Sequence, residues 1–251
     1  MNRQYNNNNY QSRDNLVTCA FYNKIGACRH GEKCSKKHIK PTTSRTLLLS
    51  NLYQNPKLKT ATTDDAEDEL TPKQIQEIFD QFYRDIFVHF ATTGEISQLV
   101  VCENENNHLN GNVYVRYKSE TDASESMKQL NSEWFNGRPV HCELSPVDSF
   151  SEANCRAYET DVCSRGEHCN YMHVRKPTKK LADDLFKAQE KTRLLKRMQE
   201  LIPKIKPEKE EHKNEVASLL SNPIAQHAVA EYQEKEPLES TTTSVVSQLF
   251  D

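Results

Sequence analysis

One metal-ligand set occurs twice in this chain, as Cys19, Cys28, Cys34 and His38 and again as Cys155, Cys163, Cys169 and His173. Three cysteines closed by a histidine form a set that holds structural zinc in a closed tetrahedron. Five residues separate the second and third cysteines in both copies and three precede the histidine, while the first gap is eight residues and then seven. Inside the matching gaps Gly31 and Gly166, and Glu32 and Glu167, fall at equal offsets, which marks an internal repeat. Glycine there suits a tight turn with positive φ that folds two thiolates onto one ion. The chain is therefore expected to build two small modules, each around one structural Zn2+, separated by a middle segment of roughly 115 residues.

Disulfides are the competing use of such cysteines, and they belong to secreted chains. The first nine residues are Asn-rich with no apolar stretch to serve as a signal peptide, so a reducing compartment is expected. Cys102 and Cys142 lie in apolar strand-like runs and read as buried hydrophobes. His30 and His168 sit too close to their neighbouring cysteines to replace the closing histidine and read as surface groups. Both four-ligand sets are full, leaving no open position for a catalytic water. No glycine-rich phosphate loop or nucleophile-base set appears either, so the chain reads as not an enzyme.

With 251 residues, 35% of them hydrophobic and a mean hydropathy of −0.84, a single large core is excluded. The expected division is a disordered Asn-rich tail at 1–15, finger 1 at 16–42, a central domain at 43–148, finger 2 at 149–176, a helix at 177–203 and a disordered tail at 204–251. No run approaches a membrane span, and no small-molecule substrate is expected. The net charge of −3 hides segregation along the chain. From 19 to 40 six basic residues face one acid, a net of +5; from 155 to 180 six face three, a net of +3; from 64 to 85 two face eight acids, a net of −6.

The middle segment alternates strand and helix patterns. Residues 46–52 form an apolar strand, and Thr71 followed by Pro72 reads as an N-cap with proline at the first helical position. Ile75, Ile78, Phe79, Phe82, Ile86 and Phe90 then recur on one helical face, ended by Gly94. Strands follow at 98–102 and 113–117, then a helix at 122–130 with Ala123, Met127 and Leu130 inward, and a strand at 140–144. The fold class is α+β: a ferredoxin-like βαββαβ domain with a four-stranded sheet backed by two helices, flanked by the two fingers. After finger 2, Leu181, Leu185, Ala188, Leu195 and Met198 predict a helix at 178–201, which either packs across the sheet or binds a partner.

Asn110-Gly-Asn-Val-Tyr-Val-Arg-Tyr117 resembles the first signature of an RNA-recognition motif, and Leu47-Leu-Leu-Ser-Asn-Leu52 the second. Base-stacking rings are missing at Asn112 and Leu48, which leaves Tyr114 as the only platform ring, and each lost stack forfeits about 1–3 kcal/mol. This sheet is expected to bind RNA poorly. With its acidic first helix the domain is similar to the U2AF-homology type, which grips a partner peptide on its helical side. That family carries Arg-x-Phe after the second helix, where this chain has Glu133-Trp134-Phe135. The resemblance implies partner contacts from Glu77, Asp80, Trp134 and Phe135. For Trp134, the only tryptophan, packing under its loop competes with an anchor given to the partner.

The two fingers around such a domain, over about residues 17–190, resemble the small-subunit family of the U2 auxiliary factor of pre-mRNA splicing. An arginine-serine tail found in many members is absent. The resemblance implies a nuclear splicing factor that pairs with a large subunit, with contacts to other spliceosomal proteins, and that reads the AG at the 3′ splice site through both fingers. Phe21 and Tyr171 are the candidate stacking rings, with Tyr22 more suited to packing, and Arg29, Lys36, Lys37, Arg156 and Arg165 are the candidate cations. Ser35 falls where family members touch RNA. A cytoplasmic Cys3His regulator of mRNA stability is the alternative, although such proteins place their fingers close together.

Overall fold

The computed structural model describes residues 17–56, 58 and 70–221. The Asn-rich start, the acidic run at 64–69 and the expected tail from 222 onward lie outside the described residues.

Finger 1 contributes α1 (Ala20–Ile25), and the central domain follows as β1 (Thr46–Leu49), α2 (Pro72–Ala91), β2 (Ile96–Cys102), β3 (Val113–Tyr117) and α3 (Glu120–Leu130). A short hairpin, β4 (Trp134–Phe135) and β5 (Arg138–Pro139), precedes β6 (Cys142–Leu144). Beyond it come α4 (Phe150–Ala153), α5 (Arg156–Glu159), β7 (Val174–Arg175) and α6 (Lys179–Leu220). All pairings in the main sheet are antiparallel, in the order β6-β1-β3-β2-β7. The first four are the expected ferredoxin-like strands. β7 is a fifth, supplied by the chain leaving finger 2, and two residues are too short a run to carry a strand signal.

Alternation along the strands divides the apolar residues between two faces. Leu47, Leu49, Val101, Val113, Val115 and Tyr117 face the helices and join Phe79, Ile86, Phe87 and Phe90 in one core. Leu48, Cys102 and Tyr114 face the other way, against Ile25, Val147, Phe150, Ala153 and Met172. Both faces are covered, which is why all of β1 is buried. Each large side chain withdrawn from water in this way contributes about 1.5–3 kcal/mol.

Helix α2 starts as expected. The Thr71 hydroxyl accepts from the Gln74 amide at 3.3 Å, and Gln74 Oε1 accepts from the Thr71 amide at 2.9 Å, a capping box ahead of Pro72. Its inward face differs from the expected one: Tyr83 and Phe87 are buried, Phe82 is half-buried and Ile78 is exposed. The helix stops at Ala91 with Thr92 as its cap. Gly94 is needed for space, since a Cβ there would come within 2.4 Å of Asp122 at the start of α3. In α3 the inward serine, Ser126, shares a 2.8 Å hydrogen bond with the buried Tyr117 hydroxyl, and Met127 is only partly buried.

β1 ends at Leu49 rather than 52 because Asn51 takes a left-handed conformation, φ +50°, with its amide on Asn112 Oδ1 at 3.0 Å. The last strand begins at Cys142, since Asn136 and Gly137, both at positive φ, fold the preceding residues into the small hairpin. The start of α6 does not cross the face opened by the lost stacking rings. Its first turns lie on the helical side, with Phe186 edge-on to Phe87 at 4.9 Å and the Gln189 amide paired to the Ile96 backbone. That other face is already filled by Ile25, Phe150 and Met172. The helix runs on to Leu220, past Pro203 and Pro207, so residues 204–220, expected as part of a disordered tail, are helical; this Lys/Glu-rich stretch is made of good helix formers. The described residues from Glu190 to Ser221 belong to a second unit, on which Leu194, Leu195, Met198, Leu201 and Ile202 are exposed.

Candidate metal centres and nucleic-acid interface

The two fingers repeat in three dimensions as they do in sequence. In each, the residue before the first cysteine pairs in parallel with the residue before the closing histidine, Thr18 with Lys37 and Asn154 with Met172. The first cysteine then sends its amide back to that second partner at 2.9 Å, Cys19 to Lys37 and Cys155 to Met172. A short helix follows each first ligand, and a 3-10 turn starting at Gly31 or Gly166 precedes each third one. Both glycines have φ +49°, the conformation the turn requires.

The ligand atoms of each set lie within 4.8 Å of one another. A tetrahedral ion with metal–sulfur bonds of about 2.3 Å, the zinc value, puts its sulfurs about 3.8 Å apart. Cys19 and Cys28, and Cys28 and Cys34, are separated by 3.8 Å, and Cys155 stands 3.7 Å from both Cys163 and Cys169. His173 Nε2 is 3.4 Å from Cys163 Sγ. His38 Nε2 is buried and has no hydrogen-bond partner among the described residues, as befits an atom aimed at a metal. Burial pushes the Cys28 and Cys155 thiols up to about 11. At Cys19 burial acts the same way but is outweighed by the Tyr22 amide, the neighbouring thiols and the Phe21 amide, so the net shift is downward. Burial lowers His173 and favours the neutral imidazole that a metal needs. Both sets can hold a metal ion, and the spacing fits zinc.

Each closing histidine is covered by a tyrosine three residues after the first cysteine. Tyr22 stacks on His38 at 4.4 Å and Tyr158 on His173 at 4.0 Å, both with 7° between planes. The packing role of Tyr22 is as expected. Tyr158 escapes the sequence reading, although its equal offset from the first ligand is a visible signal.

The fingers meet. The Phe21 and Tyr171 rings approach edge to face at 6.3 Å, and Lys24 pairs with Glu152 at 3.4 Å across the junction. Beside them lies a cleft of about 600 Å³ lined by Lys24, Arg156, Arg165 and Tyr171, among others. Of the candidate RNA contacts, Phe21, Tyr171, Arg156 and Arg165 come together here. Arg29, Ser35, Lys36 and Lys37 are exposed on finger 1 but do not line the cleft. Arg175, counted in the basic charge of finger 2, is not available: it is 9% exposed, pairs with Glu103 at 2.9 Å and lies over the Phe79 ring. Tyr114 is fully buried, with its hydroxyl donating to the Ile25 carbonyl at 2.7 Å, so the remaining platform ring is inaccessible.

A second recess, of about 250 Å³, lies between α2 and the β4–β5 hairpin, lined by Leu49, Leu52, Ile86, Phe90, Phe135 and Val140. Glu133, His89 and Trp134 also reach it. Trp134 is 72% exposed, which rules out packing under its loop. Phe135 sits edge-on to Phe82 at 5.8 Å. Glu133 accepts from Gln129 at 3.0 Å and lies 2.6 Å from His89 Nε2. Glu77 and Asp80 do not line this groove. Glu77 is exposed beside Lys73, and the Asp80 carboxylate is spent on the amide and hydroxyl of Thr178 at the start of α6.

A ferredoxin-like domain set between two closed Cys3His sites defines a finger-flanked protein of the RNA-recognition-motif class. Residues 68–141 match the family described as the RNA recognition motif, and residues 15–40 match the zinc finger C-x8-C-x5-C-x3-H type. The chain is 47% identical over 192 residues to the Splicing factor U2AF 23 kDa subunit of Schizosaccharomyces pombe, covering 76% of this chain and 87% of that one. It is 44% identical to the human Splicing factor U2AF 26 kDa subunit, covering 68% and 78%, and 44% identical to the Splicing factor U2af 38 kDa subunit of Drosophila melanogaster, covering 70% and 68%. The chain belongs to the U2AF small-subunit family and is a non-catalytic splicing factor.

Proposed function

We propose that this protein is the small subunit of a nuclear heterodimer that reads the AG dinucleotide at the 3′ splice site with its two fingers and holds the large subunit on its central domain. The observation that carries the RNA reading is the meeting of Phe21 and Tyr171, one ring from each metal loop, beside a cleft that carries Arg156 and Arg165. Unstacked bases bind on aromatic faces and are held by cations at their phosphates and edges. Each finger carries one structural Zn2+, and the ion's binding energy serves as folding energy for loops with almost no core of their own. Arg29, Ser35, Lys36 and Lys37 extend the surface along finger 1.

The partner reading rests on the apolar groove and on Trp134, a large exposed ring at its edge. Aromatic anchors dominate interface energies, and here one ring projects while a recess beside it can accept another. Glu77, exposed on α2 outside this groove, would meet a partner only beyond it. The test is a titration of the zinc-loaded full chain with short single strands ending in AG or in a substituted dinucleotide, with and without the large subunit. Tighter binding of AG supports the reading, and equal affinities for all dinucleotides would sink it.

A further inference from the structure

The connection between β2 and β3 spans residues 103–112, far more than the two to five residues that antiparallel neighbours usually need. Three of its polar side chains, those of Glu103, Asn104 and Asn106, reach finger 2. Asn104 is fully buried; its Nδ2 donates to the Tyr171 carbonyl at 2.9 Å, and its Oδ1 accepts from the His173 amide at 2.8 Å. Asn106, also buried, donates to the Cys169 carbonyl at 2.7 Å and accepts from the Leu109 amide at 3.0 Å, which fixes its own rotamer. The Glu103 amide donates to the His173 carbonyl at 2.8 Å, and its carboxylate accepts from Tyr158, the ring stacked on His173, at 2.6 Å. The segment that holds the last two ligands is thus gripped at Cys169, Tyr171 and His173 by residues outside the finger.

Finger 1 has no such grip. Its attachments lie outside the segment that holds its last two ligands: the Tyr114 hydroxyl on the Ile25 carbonyl, Gly26 so close to Ser145 that a Cβ would approach its hydroxyl to 2.6 Å, and, past the closing histidine, Lys40 paired with Glu143 at 2.9 Å. Among the described residues no hydrogen bond joins residues 103–112 to finger 1.

We propose that Asn104 and Asn106 are positioning residues of the second metal site, so that the central domain sets how firmly finger 2 keeps its ion and where Tyr171 points, while finger 1 keeps its ion by its own loop. Groups behind the ligands orient them, and their loss typically weakens metal binding about 10- to 100-fold. The inference rests on reading both sets as zinc sites but not on the RNA reading.

The test uses the full chain loaded with cadmium, where each site gives its own NMR resonance, and challenges it with a competing chelator. Asn104→Ala and Asn106→Ala are expected to weaken retention at the second site by about 10- to 100-fold and leave the first unchanged. Asn104→Asp keeps the acceptor for the His173 amide but sets a carboxylate oxygen against the Tyr171 carbonyl and buries a charge, so it should loosen the second site at least as much as alanine and leave the first unchanged. If the alanine variants do not fold, Asn104→Ser and Asn106→Ser, which stay neutral and polar but are too short for these bonds, are read the same way, each expected to loosen the second site alone. Retention that falls equally at both sites, or at neither, overturns the proposal. A wild-type chain that takes up no metal would instead overturn the zinc reading beneath it.

Discussion

The two recesses of this molecule are built from opposite materials. The cleft between the fingers is lined by Lys24, Arg156, Arg165 and one half-buried ring, on loops held by four side chains each. The groove beside α2 is walled by Leu49, Leu52, Ile86, Phe90 and Val140, members or neighbours of the main core, with an exposed tryptophan at its lip. One surface is shaped by loops that converge on metal-ligand sets and the other by packed hydrocarbon. The sheet separates them: its helical face feeds the groove, and its other face, where a nucleic-acid-binding sheet would show its rings, is closed by Ile25, Phe150 and Met172. A domain that has given up stacking is thereby free to serve both surfaces as a frame. Damage to either should leave the other working.

The sharpest attempt to break that independence removes a metal ligand. Cys34→Ala or His173→Ala should cost one equivalent of zinc and reduce RNA binding to its nonspecific level, because the ion supplies the folding energy of the loop. Atomic absorption and an RNA titration measure the two losses. Large-subunit affinity should stay unchanged, and a parallel fall would show that the two surfaces are coupled.

The converse change is Trp134→Ala together with Phe135→Ala. If the ring is the anchor, each truncation should weaken large-subunit binding by about 2 kcal/mol or more, with both zinc ions and RNA affinity retained. Calorimetry against the partner peptide reads this directly. Unchanged affinity would leave the exposed ring without a role at this interface.

The cleft's frame is far more legible in the sequence than the groove's. Metal ligands announce themselves by spacing, and Gly31 and Gly166 by their equal offset, so both fingers and their positive-φ turns follow from the linear pattern alone. The four ferredoxin-like strands and the Thr71 capping box are legible for the same reason: each is a local pattern with a local cause. What stays hidden depends on contacts distant in sequence. Nothing near Asn104 or Asn106 says that a finger more than 60 residues away will take their hydrogen bonds. Arg175 looks like one of several surface cations until Glu103 and Phe79 are placed around it. Whether the helix after finger 2 packs across the sheet or binds a partner is open in the sequence, and the filling of one face by finger residues leaves the start of α6 on the other. Asp80 is read as a partner contact, and nothing near it in the sequence says that its carboxylate will hold Thr178.

Smaller effects test whether the cleft is one surface or two. Phe21→Ala and Tyr171→Ala should each cost about 1–3 kcal/mol of RNA affinity, the usual value of one base stacked on a ring. Because the two rings touch, the double variant should lose less than the sum of the singles if they frame a single base site. Strict additivity would mean two separate stacking sites, one per finger, and would break the single-surface reading while leaving the zinc sites untouched.

The smallest expected effects belong to the exposed cations of finger 1. Lys36 and Lys37 lie outside the cleft lining, so their contribution should be electrostatic only. For single strands the logarithm of affinity falls with the logarithm of salt by about 0.7 per neutralised phosphate. Lys36→Ala or Lys37→Ala should therefore flatten the slope by about that much, alter affinity slightly, and do so equally for AG and for substituted dinucleotides. The apolar groove gives the internal control: partner binding through Trp134 and its recess should respond little to salt. A lysine variant that changes dinucleotide preference would place the residue at a base edge and extend the reading surface of finger 1 beyond the cleft.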